Sequence, residues 1–269
     1  MDAIKEYFGI GGYQRAAEGA YSWQHLTFVG VLLVAMVALA VWLGVRNKKW
    51  NFRTQNRVMI WAAILIDGLE LIKIGLSCYD STLQGDAWYA GLRTVLPLFL
   101  CSIQLIVIPL AAFTRGRLRE VSADFVALFG LLGGILGTVG AAQNYNAYPV
   151  LSFTNMVSGF THCIAGFASL YVIITGLASL KGRNMLGTFL LLFGFCGAAV
   201  AANHWLDYNY MFLRSHDGTP YQICYDLVGG DPILYPATVI GLFVVYMGLF
   251  YAVTFAVRSL KRRKQKATV

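Results

Sequence analysis

A thiol, an imidazole and two carboxylates stand inside long apolar stretches of this sequence. They are Cys101, His162, Asp67 and Glu70, with Lys73 three residues beyond Glu70. A thiol beside an imidazole makes a nucleophile and its base, because the thiolate is the reactive form and the imidazole can take the proton. A carboxylate next to the imidazole could orient or neutralise it. Asp67, Glu70 and Lys73 are spaced to share one helical face, where Glu70 and Lys73 could equally be a structural ion pair. Plainer roles exist for the other two as well. A membrane cysteine is ordinarily a small apolar residue, and a membrane histidine ordinarily a hydrogen-bonding helix contact. The five cysteines, Cys78, Cys101, Cys163, Cys196 and Cys224, contain no CxxC, so no metal site is expected, and no cofactor is implied. Cys78 and Cys224 could both face an oxidising side and pair there.

The elements that must position these groups are transmembrane helices. Of 269 residues, 58% are hydrophobic and 13% charged, and the mean hydropathy is +0.61. A soluble surface needs about a quarter charged residues. Seven runs are long enough for the roughly 20 residues that cross a bilayer as helix: Trp23–Val45, Val58–Cys78, Thr94–Phe113, Val121–Ala142, Phe153–Leu180, Met185–Ala202 and Ile233–Val257. The expected fold is therefore all-α and polytopic. It has an interfacial segment at 1–22, a seven-helix transmembrane domain at 23–257 and a basic cytoplasmic tail at 258–269. Glycines such as Gly130, Gly133, Gly134 and Gly137 have the spacing that lets membrane helices approach closely.

Charge orients the spans. Arg46, Lys48, Lys49, Arg53 and Arg57 fill the first loop, Arg115, Arg117 and Arg119 the third, Lys181 and Arg183 the fifth. The tail from Arg258 to Lys266 is basic too, whereas the second and sixth loops are acidic and the fourth is uncharged. Basic loops stay cytoplasmic, so the N-terminus is expected outside and the C-terminus inside, in the plasma membrane. The net charge of +8 is thus a topology signal and does not call for nucleic acid as a partner; membrane lipid is the partner expected. A second copy or another membrane protein is left open.

In that orientation Cys101 lies about eight residues, or roughly 12 Å, below the outer end of its helix, and His162 about nine, roughly 14 Å. Asp67, Glu70, Gln104 and Asn155 fall in or near the same slab, and Asn203 closes the outer end of the sixth helix. The sixth loop, with Asn209, Tyr210 and Arg214, is the one long loop, and such loops are more often functional than idle. Arg214 could hold a lipid phosphate.

The segments Leu96-Pro97-Leu98-Phe99-Leu100-Cys101-Ser102-Ile103, Asn209-Tyr210-Met211-Phe212-Leu213, Ser158-Gly159-Phe160-Thr161-His162 and Gln24-His25-Leu26 resemble, in order and spacing, motifs of the YwaF family of integral membrane proteins. The resemblance runs from about residue 23 to 255. Where many members carry a histidine two residues before the cysteine, this chain has Phe99. The family is related to a vertebrate transmembrane phospholipid transacylase and, more distantly, to heptahelical lipid-ester hydrolases of the androgen-induced type. The resemblance implies acyl transfer through a cysteine acyl-enzyme at Cys101 with His162 as its partner. Asp67, Glu70, Gln104, Asn155, Asn203, Asn209 and Tyr210 would then form the polar pocket, and Arg214 would meet the headgroup. A non-catalytic heptahelical binding or sensor protein, or a membrane subunit of a transport complex, would use the same pocket without the covalent step.

Overall fold

The structure, a computed structural model, describes residues 2–267; positions 1, 268 and 269, and the side chains at 261–264, 266 and 267, lie outside the described residues. It is all-helical, with 74% of residues in helix and no strand among the described residues. The chain is a polytopic membrane protein. Helices α1 (Asp2–Phe8), α2 (Trp23–Asn47), α3 (Phe52–Leu83), α4 (Trp88–Val95), α5 (Gln104–Phe113), α6 (Gly116–Leu136), α7 (Ala142–Ala147) and α8 (Phe153–Thr175) fall in a compact unit ending at Ser179. Helices α9 (Gly182–Trp205), α10 (Gln222–Leu227) and α11 (Leu234–Ala267) fall in a second, from Leu180.

Among the described residues, four helices are long and apolar enough to cross a membrane by themselves: α2, α8, α9 and α11 as far as Leu260. The other three expected spans lie in α3, α6 and the α4–α5 segment. Asp67, Glu70 and Lys73 dilute α3, and Arg117, Arg119, Glu120 and Asp124 dilute α6. The span read as one helix over Thr94–Phe113 is in fact broken, with α4 ending at Val95 and α5 starting at Gln104. Pro97 is the reason. It forces the residue before it out of the helical region, and Leu96 sits at ψ 141°.

Local capping fixes where the long helices begin. The side chains of Ser22, Asn51 and Ser152 accept the backbone N–H groups of His25, Thr54 and Asn155, filling donors that a helix start leaves open. Two contacts then set the register of α3 against the broken span. Asn56 donates its side-chain amide to the Ala112 carbonyl at 2.8 Å, and Ser77 Oγ donates to the Gly91 carbonyl at 3.3 Å. The contacts are about 21 residues apart along each segment, or roughly 31 Å of helix, the thickness of a hydrocarbon core. The break, with Cys101, therefore falls midway between these two contacts, level with the Asp67 turn of α3.

His25 is fully buried and serves as a structural tie. Its Nδ1 accepts the Tyr21 N–H at 2.9 Å, its Nε2 lies 3.2 Å from the Thr138 carbonyl, and its ring stacks on Tyr145 at 3.8 Å. All five cysteines are free thiols, so the pairing considered for Cys78 and Cys224 is not formed.

The N-terminal segment folds back over one end of the first unit. Gly11 N–H donates to Asp80 Oδ1, Ala20 N–H to Asn146 Oδ1, and Val150 N–H to Glu18 Oε2 at 2.7 Å, while Tyr13 bonds Thr154. The amides of Arg15 and Gln14 hold the Glu6 carboxyl below its ordinary 4.5. At Glu18 burial pushes upward, but the Val150 amide, its own amide and the Arg15 charge outweigh it and leave the carboxyl lowered. A lowered folded-state value stabilises above the unfolded value and is lost as pH falls through the folded one. Acidification below about 4.5 should therefore loosen residues 2–22. Hydrogen exchange should show Gln14, Arg15 and Val150 losing protection in that window; protection unchanged well below it would refute the carboxylate anchors.

Candidate functional site

The break between α4 and α5 supplies the thiol. Leu98 N–H bonds the Leu96 carbonyl at 2.8 Å, Ile103 N–H reaches back to Phe99, and Gln104 and Leu105 N–H bond the Cys101 and Ser102 carbonyls. Cys101 thus sits on a turn just ahead of the first residue of α5, half-buried, with Ser102 Oγ 4.0 Å from its sulfur. The Ser102 N–H has no acceptor among the described residues. Irregular backbone at membrane depth persists only where protein or a water-filled cavity surrounds it, and Ile103 beside it is fully buried.

The imidazole comes from α8. His162 Nδ1 lies 2.6 Å from the carbonyl of Ser158, one turn earlier, and 3.4 Å from that residue's hydroxyl. A carbonyl accepts only, so Nδ1 carries the proton and donates it. The Nε2 lone pair is then left as an acceptor. The Cys101 thiol and the His162 imidazole are electrostatic neighbours. A backbone carbonyl therefore orients this imidazole, in the place where a carboxylate orients the base of a serine triad.

Helix α6 shapes both partners without contributing a functional side chain. A Cβ at Gly137 would stand 1.8 Å from His162 Cδ2 and 2.1 Å from Nε2, and one at Gly133 would stand 3.3 Å from Cys101 Cα and Cβ. The glycines one residue off that line serve α8 instead. A Cβ at Gly130 would meet the Ala165 carbonyl oxygen at 2.6 Å, and one at Gly134 would meet Gly166 Cα at 3.0 Å.

The carboxylates of α3 divide. Glu70 is buried and holds Lys73 at 2.5 Å. The Lys73 charge acts on His162. Asp67 is half-buried and is an electrostatic neighbour of Glu70. Gln104, three residues after Cys101, is fully buried, and neither atom of its amide has a partner among the described residues. Asn155 is also fully buried, but its amide hydrogens go to the carbonyls of Asn144, Tyr148 and Pro149. They close the α7 loop and are not free for a ligand.

The remaining expected site residues belong to the second unit, where they organise their own loop. Asn203 grips the backbone of Tyr210, donating to its carbonyl at 3.0 Å and accepting its N–H at 2.6 Å. That grip secures a turn in which Met211 and Phe212 both have φ near +55°, a left-handed region that bulky residues occupy only under constraint. Tyr235 donates to the Phe212 carbonyl at 2.7 Å. Asn209 bonds Ser215, Asp217 and the Arg214 amide, and Arg214 is ion-paired with Asp207.

A sequence profile of the TMEM164 family matches residues 20–251. The chain belongs to the TMEM164 family. The matched span holds every expected site residue and leaves outside it only the first nineteen residues and the basic end of α11. No curated protein and no solved structure matches the chain. What sequence reasoning missed in this family member are the helix break, the Ser158 carbonyl and the two glycines that receive the pair. Pro97 inside an apolar run signalled the first. Glycines four apart on α6 were legible as close contacts, but not as contacts with these two side chains.

Proposed function

We propose that this TMEM164-family protein is a membrane-embedded acyltransferase that moves acyl chains of phospholipids or lysolipids through a thioester on Cys101. The observation that carries the reading is that one stretch of α6 receives both the Cys101 backbone, at Gly133, and a His162 imidazole, at Gly137, whose Nδ1–H is committed to the Ser158 carbonyl. The similarity to the YwaF family and its phospholipid transacylase relative points the same way. The alternation of basic loops supports a reaction on the extracytoplasmic half of the plasma membrane.

In the first half-reaction His162 Nε2 takes the thiol proton as the sulfur attacks the ester carbonyl carbon. The carbonyl oxygen gains the electron pair and is met by the Ser102 N–H and the Gln104 amide, donors without other partners among the described residues. Fixed donors of this kind, in a site poor in water, commonly lower the barrier to acyl transfer more than any other device. The tetrahedral adduct collapses, the carbon–oxygen bond breaks, and the leaving alkoxide takes the proton from His162. In the second half-reaction an acceptor hydroxyl gives its proton to Nε2 and its oxygen attacks the thioester. The thiolate leaves and is reprotonated. Water as acceptor gives hydrolysis by the same steps. Arg214 is left to its ion pair with Asp207.

Purified protein incubated with a phospholipid labelled in its acyl chain should acquire label at Cys101 that hydroxylamine removes, and Cys101→Ser should not. Absence of label on the natural protein, or equal label on the variant, would remove the acyl-enzyme. If lipid still shifted the melting temperature of both forms, the protein would stand as a binding protein.

A further inference from the structure

We propose that Gly137 is a positioning residue for His162. The side chain it lacks is the space occupied by the Nε2 edge of the imidazole, and Gly133, one turn earlier, gives the backbone of Cys101 its place in the same way. The inference rests on the thiol–imidazole pair being the reactive centre, and goes beyond it to the element that sets the pair's geometry.

Conformation does not explain the glycine. Gly137 closes α6 at φ −78° and ψ −7°, which any residue adopts freely. Gly133 lies inside the helix, where alanine is the more stable choice. Both glycines therefore answer to what faces them. At Gly137 the three nearest atoms all belong to the ring: Cδ2 at 1.8 Å, Nε2 at 2.1 Å and Cγ at 2.6 Å from an added Cβ. The ring cannot swing aside without giving up the 2.6 Å bond from Nδ1 to the Ser158 carbonyl, the bond that fixes which nitrogen faces the thiol. An alanine at 137 would either break that bond or push Nε2 away from Cys101. At Gly133 the tolerance is wider. A Cβ 3.3 Å from Cys101 Cα and Cβ asks the cysteine to give by a few tenths of an ångström.

The neighbouring glycines supply the contrast. An added Cβ at Gly130 meets the Ala165 carbonyl oxygen, and at Gly134 the Gly166 Cα and the His162 carbonyl oxygen. These two set how closely α6 and α8 cross. One helix thus uses two glycine pairs, each four residues apart, on adjacent lines: one pair for the crossing, the other for the chemistry.

The test reads thiol reactivity and needs no lipid substrate. Alkylation of Cys101 by iodoacetamide is followed by mass spectrometry of its peptide, from acid to mildly alkaline pH, in the natural protein, Gly137→Ala, His162→Ala and the double variant. Gly137→Ala should slow alkylation at neutral pH about tenfold, the loss expected when a thiol is separated from its imidazole, and its pH profile should become that of His162→Ala. In the His162→Ala background the added alanine should change neither rate nor melting temperature, because the atoms it would strike are gone. That non-additivity separates a clash with the ring from a backbone effect. If Gly137→Ala alone does not fold, recovery of folding in the double variant supports the proposal, and failure of both refutes it. A natural profile for Gly137→Ala beside an altered one for His162→Ala overturns the positioning role and leaves the pair standing. An unaltered profile for His162→Ala overturns the pair, and the positioning role falls with it.

Discussion

Replacing His162 with alanine should lower acyl transfer by roughly two to four orders of magnitude, the range that a positioned general base contributes, while the protein stays folded. The imidazole is half-buried, and its hydrogen bonds among the described residues are local, to Ser158 one turn back on the same helix. Its removal opens a small space beside Gly137, and the Ser158 carbonyl keeps the Thr161 hydroxyl as a donor. Added imidazole, small enough for that space, should restore part of the rate. Ser158→Ala makes the matched control. The acceptor at 2.6 Å is the backbone carbonyl, which alanine keeps, and the hydroxyl is the longer contact at 3.4 Å. Ser158→Ala should therefore retain most of the natural rate. Initial rates of transfer from a labelled phospholipid to an added lysolipid measure all three. A natural rate in His162→Ala would leave Cys101 without its base and end the mechanism.

The shared level of the thiol and the imidazole was legible in the sequence, because counting along the apolar runs makes it arithmetic. Counting along two apolar runs put Cys101 and His162 at one level, and both lie against the same stretch of α6, at Gly133 and Gly137. Facing direction was not legible. Gln104 and Asn155 share type and depth, yet one is a fully buried amide with no described partner and the other has its hydrogens tied to three loop carbonyls. Hydropathy registers a residue's dislike of lipid and is silent on which neighbour relieves it. The broken third span was half legible. Pro97 forbids the helical region at Leu96, but it does not say that eight residues pass before a helix resumes. The turn at Met211 and Phe212 was hidden altogether, since positive φ is ordinarily signalled by glycine or asparagine, and here it is imposed by Asn203 and Tyr235 from outside the turn.

Glu70 carried two readings, as an orienting group for the histidine and as the partner of Lys73 in an ion pair inside the bundle, and one further measurement separates them. Glu70→Ala leaves an ammonium with 20% of its side chain exposed in an apolar layer. Breaking a buried pair from one side costs about 3–5 kcal/mol, with the lower end apt here because Lys73 keeps some exposure. The lone charge would also act on His162, which already feels the charge of Lys73. The single variant should therefore lose both thermal stability and Cys101 labelling. Glu70→Gln with Lys73→Met removes both charges at similar volume, and matched replacement of a buried pair is often neutral. A thermal melt and the acyl-labelling assay should find the double variant close to the natural protein on both counts. Recovered stability with labelling still lost would place Glu70 or Lys73 in the chemistry itself. Recovery of both would assign the pair to the bundle and leave the orientation of His162 to the Ser158 carbonyl and the space above Gly137.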